Sequence, residues 1–290
     1  MEFNDNDHEL FLGKYSSESF DEFYEEYEEL MNFVNSLPAE IRAKKGFNKK
    51  NLNYNELSRL LINKRNTISS NALFRKNNRA KDSIIDFWLY GVNAKANIME
   101  NLPSLKTYTG ITTSCVKEIL SISNNPEGHL EIPLILMDKG IILIYEKSLD
   151  GLNVDGIVYK NKNGNPIVSL SIRHNRVDNF WFTLAHELSH IVLHYDLLDN
   201  VIIDDLDKNS DSEIELHANK LAADFLIPKN IWRSCPVKYA FESNDIKEFA
   251  KQHNLNPAIV AGRIRKERNN YSLFNDIIYE KDIRGDLFNG

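Results

Sequence analysis

The chain has 290 residues with 42% hydrophobic and 27% charged residues, the balance of a soluble globular protein of one large or two modest domains. With a net charge of −7, the chain has no apolar run long enough for a bilayer-spanning helix, and its acidic N-terminus (MEFNDNDHELF) is unlike a signal or transit peptide, so a cytoplasmic protein is expected. Only Cys115 and Cys235 occur, without C-x-x-C company, so no disulfide framework is expected.

The charge is segregated. Residues 1–40 carry twelve acidic side chains against Lys14 alone, and residues 41–81 carry twelve basic ones against Glu56 alone. Such blocks pair within a fold or are solvated; DNA is the weaker reading, because few aromatics interleave the basic block to offer a stacking platform. Ser17 to Asn35 spaces Phe20, Phe23, Tyr24, Tyr27, Leu30, Met31 and Val34 at three and four, which predicts an amphipathic helix ended by Leu37-Pro38. Helices are also expected around Tyr54–Ile62 and Asp82–Ala96. Residues 1–102 therefore read as a helical, charge-segregated region with a regulatory or docking role.

From about Pro103 the texture changes, and 103–290 reads as a second domain. Helices are expected at Thr113–Ile122 and through Met137. Strands follow at Ile141–Tyr145, at Ile157–Lys160 after an Asp155-Gly156 turn, and at Ile167–Arg173 beyond a hairpin loop at 161–165. A helix comes next, with Asp178 or Asn179 as its N-cap. Residues 199–213 read as a polar acidic loop, and helices close the chain at Ser212–Leu226, Asn244–His253 and Pro257–Glu267. The fold class is α+β: a mostly helical N-terminal region, then a domain with a small sheet packed on two chemically marked helices.

The first of those helices carries His186-Glu187-Leu188-Ser189-His190 inside DNFWFTLAHELSHIVLHYD. Histidines four apart lie on one helical face and can share a metal ion, and Glu187 lies close enough to take a proton from activated water. Phe180, Phe182, Leu184, Ala185, Leu188, Ile191, Val192 and Leu193 surround the motif. An uncompensated glutamate in that company costs several kcal/mol, and metal chemistry removes the conflict.

Two histidines need a third protein ligand. His194 repeats the step of four, but it lies about 12 Å along the helix from His186 and reads as a structural helix-end residue. Asp196 lacks a chain-bending glycine before it, because Leu193 stands there. Glu215 on the following helix is favoured, with Ala218, Ala222 and Ala223 allowing close packing; Glu213 and His217 are rivals expected on the solvent side. Asn219, one turn on, is expected to accept the second N–H of a ligand histidine. Tyr195, His217 and Arg173 are the candidate oxyanion donors. The strand Ile167–Arg173, taken as a sheet edge, is expected to bind substrate as an added strand.

FTLAHELSHIVLH followed by ELHANKLAADFLIP resembles the ImmA/IrrE family of metallopeptidases, whose pattern is HExxH and then E-x-x-A-N-x-F-A-A-x-L-L-x-P. The resemblance covers about residues 103–270; Ser189 and Leu221 stand where Gly and Phe are common. It implies a zincin-like domain with one Zn2+ (Mn2+ or Fe2+ being chemically acceptable) on His186, His190 and Glu215, and Glu187 as acid–base group. It further implies a protein substrate, a helix-turn-helix repressor or antitoxin cut at one site in a stress or phage-related response. No N-terminal helix-turn-helix is recognisable, so a repressor role does not carry over. The alternative is a non-proteolytic, antitoxin-like or regulatory binding protein that keeps the metal site for stability and contacts DNA through its basic block.

Overall fold

The computed structural model describes residues 20–48, 51–67, 80–204 and 213–289. The chain divides into two compact units, one formed by residues up to Asn93 with Leu149–Leu152, the other by Ala94–Ser148 and Asn153–Gly290.

The first unit contains α1 (Phe20–Ser36), α2 (Ala39–Lys44), a hairpin of β1 (Phe47–Asn48) and β2 (Asn51–Leu52), α3 (Tyr54–Thr67) and the start of α4 (Ala80–Met99). Residues 17–19 of the first expected helix lie outside the described residues. Leu30 and Val34 of the expected apolar face are buried together with Ile41, Leu57, Leu60, Phe87 and Trp88, whereas Tyr24 of that face is exposed. Phe33 meets Tyr90 edge-on at 5.4 Å, and Phe47 meets Phe87 at 6.2 Å. Such edge contacts add about 0.5–1.5 kcal/mol to the area term. The β1–β2 hairpin was not expected; Phe47 pairs with Leu52 across it.

The second unit continues with α5 (Thr113–Leu120), which Thr112 caps through the Cys115 N–H, and α6 (Gly128–Asp138). β3 (Ile142–Tyr145), β4 (Gly156–Lys160) and β5 (Pro166–Leu170) follow, then α7 (Val177–His194), β6 (Ile202–Asp204) and α8 (Glu213–Leu226). After α9 (Lys229–Arg233) come α10 (Ser243–Gln252), α11 (Pro257–Glu267), α12 (Asn275–Ile278) and α13 (Ile283–Phe288). The sheet order is β3-β5-β4-β6, with β3 parallel to β5 and the other pairs antiparallel. The architecture is α+β. Helix α7 lies against β4, β5, α8 and α11. Among the described residues no helix is long and apolar enough to cross a membrane.

Four local expectations need correction. β5 is not an edge strand, because β3 takes one side of it and β4 the other, so no substrate strand can be added there. The strand also stops at Leu170: Ser171 bonds back to Asp155 and Val154, and Ile172 turns into the left-handed region at φ 49°. Asp155-Gly156 is not a turn but the entry to β4, Gly156 pairing with both Leu170 and Asp204. The predicted acidic loop begins with a strand, because Ile202 and Ile203 pair with Val158 and Ile157; residues 205–212 lie outside the described residues.

His129 of α6 is 2% exposed, with Nε2 2.9 Å from Asp286 and its ring edge-on to Phe180. Burial, then Lys281, push its pKa below the ordinary histidine value, against the pull of Asp286. A histidine with a depressed folded pKa stabilises the fold above its unfolded pKa near 6.5, and that contribution is lost as pH falls through the folded value. The urea midpoint is therefore expected to drop below pH 6.5, and to drop less in His129→Leu. Parallel pH profiles for the two proteins contradict the assignment.

Candidate metal centre

Helix α7 is buried on almost every side from Val177 to Ile191. The apolar side chains Leu184, Leu188 and Ile191, each worth about 1.5–3 kcal/mol on burial, offset the cost of carrying polar groups through the same interior. The N-cap position falls on Arg176, and no side chain caps the helix. Asp178, expected there, instead accepts two hydrogen bonds from Arg176 at 3.0 and 2.6 Å and lies against Gly262 of α11.

His186 and His190 are fully buried, and their Nε2 atoms stand 2.9 Å apart. Glu215 comes from the first turn of α8, which packs on α7 with Ala218 and Ala222 completely buried. Its Oε2 lies 3.1 Å from His186 Nε2 and its Oε1 3.5 Å from His190 Nε2. Burial raises the Glu215 pKa, but hydrogen bonds to the two imidazoles outweigh that and hold it at about 2. Ligand atoms 2.0–2.2 Å from a tetrahedral ion stand about 3.3–3.6 Å from one another, a range that the three distances of 2.9, 3.1 and 3.5 Å approach from below and enter. Two neutral nitrogens and one ionised carboxylate also suit the charge of a divalent metal. The donor set fits. Glu127, His129 and Asp286 also cluster, but Lys281 stands among them, 2.7 Å from Glu127 and 3.5 Å from Asp286, and supplies the positive charge.

Glu187 is fully buried, one residue round the helix from His186. Its carboxylate lies against the α-carbon of Gly156: a methyl group there would stand 2.2 Å from Oε1 and 2.8 Å from the Thr183 methyl. The glycine at the head of β4 is what gives this carboxylate its room, a role that the Asp-Gly turn reading hides.

The remaining expected residues divide. Glu213, His217 and Asp196 are exposed. The Tyr195 hydroxyl donates to the Gly164 carbonyl at 2.7 Å, and its ring stacks on Tyr108. Arg173 grips Asp155 through two bonds of 2.7 and 2.8 Å. Both groups are thus engaged in holding the hairpin and the β5–α7 connection. The expectation that Asn219 accepts a histidine N–H is not met, since its Oδ1 is buried with no hydrogen-bond partner. The second nitrogen of His190 meets His194 instead, Nδ1 to Nδ1 at 3.2 Å. The helical step of four, read only for metal sharing, already held that signal.

A cleft of about 700 Å3 has Asp155, His174, Phe182, Asn219, Ile259 and Lys266 in its wall; none of the three ligand candidates nor Glu187 lines it, and Phe182 and Asn219 stand one helical turn from His186 and Glu215. The Phe182 ring is 6.4 Å from that of His186, and Lys266 Nζ is 4.7 Å from the Phe182 centroid. Periodicity marks Phe182 only as apolar and does not place it beside the metal ligands.

Residues 137–264 match the family model of Peptidase_M78, the IrrE N-terminal-like domain, a narrower span than the 103–270 suggested by motifs. No curated protein matches the chain.

Because the backbone of Gly156 abuts the flexible end of the Glu187 side chain, Gly156→Ala is expected to fold and to displace that carboxylate. Metal content should stay at the wild-type level while any hydrolytic rate falls by about 10²-fold or more, as for loss of a general base. Unchanged activity in the alanine variant contradicts the packing argument.

Proposed function

We propose that this chain, which through residues 137–264 belongs to the ImmA/IrrE family of metallopeptidases, is a zinc-dependent endopeptidase that cleaves a protein partner at a specific site. The observation that carries the reading is the meeting of His186, His190 and Glu215 beside a buried Glu187. A divalent cation held by the first three supplies Lewis acidity, which acidifies water and polarises a peptide carbonyl.

The chain's own residues do the rest. His186 and His190 arrive from one rigid helix and Glu215 from another, so the ligand geometry is set by helix packing rather than by a loop. Glu187 accepts the proton of the attacking water and returns it to the leaving amine, a transfer worth about 10²–10⁴ in rate. Its enclosure by Gly156 and Thr183 restricts where that carboxylate can swing. The cleft one helical turn away gives the substrate chain a place to lie, with Phe182 offering apolar surface. The resemblance to the family supports a helix-turn-helix repressor or antitoxin as the partner.

Glu187→Gln is expected to abolish cleavage of a co-expressed partner while metal content stays at one ion per chain. Survival of the biological effect in that variant points to a binding role and defeats the peptidase reading. Glu215→Ala is expected to lose the metal as well, because two imidazoles alone leave the cation under-coordinated. Full metal occupancy in Glu215→Ala, measured by elemental analysis, removes Glu215 from the site.

A further inference from the structure

Helix α7 ends at His194, and its side chain lies one turn beyond His190. The His194 ring is turned back over residue 190 rather than out past the helix end. The rings stand 5.3 Å apart, with the two Nδ1 atoms at 3.2 Å. His190 turns its other nitrogen toward His186 and Glu215.

These contacts dictate a proton arrangement. An imidazole that offers Nε2 to a cation keeps its proton on Nδ1 and needs an acceptor there. Asn219 does not supply one, since its Oδ1 makes no hydrogen bond. The atom in place is His194 Nδ1, which accepts only if His194 carries its own proton on Nε2. We propose that His194 is the positioning residue for His190: it accepts the His190 Nδ1–H, selects the tautomer that presents Nε2 to the cation, and holds the ring against rotation. The inference rests on the metal reading above and deepens it. A turn of helix beyond the H-E-x-x-H motif thus becomes part of the centre without touching the ion.

The test is Zn2+ affinity of the metal-stripped full chain in competition with a chromophoric chelator, which does not depend on finding a substrate. His194→Ala and His194→Phe are expected to bind about 10- to 100-fold more weakly than the wild type, the usual cost of losing a ligand's outer hydrogen bond. His194→Asn, whose side-chain carbonyl can accept the same N–H, is expected to recover most of the affinity. A folded His194→Phe that holds Zn2+ as tightly as the wild type overturns the proposal and leaves the metallopeptidase reading standing. A wild-type chain that takes up no divalent metal overturns both. Long-range 1H–15N spectra of the Zn2+-loaded wild type give a check free of any folding defect: a proton on His194 Nε2 is expected, and one on Nδ1 overturns the assignment.

Discussion

The approach of α8 to α7 is the contact on which the rest depends. Ala218 and Ala222 are completely buried there, and a larger residue at either would hold the helices apart. Glu215, at the start of the same helix, would then no longer reach the two imidazoles. Small side chains and a carboxylate one turn apart therefore act together: one sets the distance and the other uses it. The cost is a fully buried pair of histidines and a nearly buried glutamate, which only mutual hydrogen bonding or a shared cation can offset.

The sheet contributes by a different route. β4 runs between β5 and β6, and it begins with a glycine whose missing side chain is occupied by the carboxylate of Glu187. One residue earlier, Asp155 is taken by Arg173 from the other end of the β5–α7 connection. That ion pair lies at 2.7 and 2.8 Å and is almost wholly buried on the carboxylate side, so it ties the start of β4 to the stretch that leads into the helix carrying His186 and His190. Sheet and helix are held in register where Glu187 needs them to be. Arg173 and Tyr195, attractive as oxyanion donors by residue type, thus serve the scaffold.

The cleft wall combines side chains from α7, α8, α11 and the connection before α7. None of these segments is adjacent to another in sequence except the last and the first. A surface assembled this way exists only once the chain has folded, and it belongs to the same unit as the candidate metal centre. The helical N-terminal unit has its own apolar core around Trp88 and Phe87. Its packing is explained by helical periodicity without reference to chemistry.

Local chemistry was legible from the chain alone. Histidines four apart on an apolar helix have one geometry open to them, so His186 and His190 face one point whatever surrounds them. The spacing of Ala218, Ala222 and Glu215 on a second helix follows from the same 3.6-residue repeat, while Asn256-Pro257 marks the start of α11 and the Asn-Lys-Asn-Gly-Asn turn marks the β4–β5 hairpin. What one dimension does not encode is which element lies beside which. That β5 is interior, that Ile202 and Ile203 form a strand rather than a loop, and that Gly156 makes room for Glu187 are all decided by neighbours far away in sequence. Asn219 and His194 show the limit most plainly: both sit one turn from a ligand, and only the three-dimensional placement decides which of them meets an imidazole nitrogen, because hydrogen bonds depend on direction and distance and a helical repeat supplies only a face.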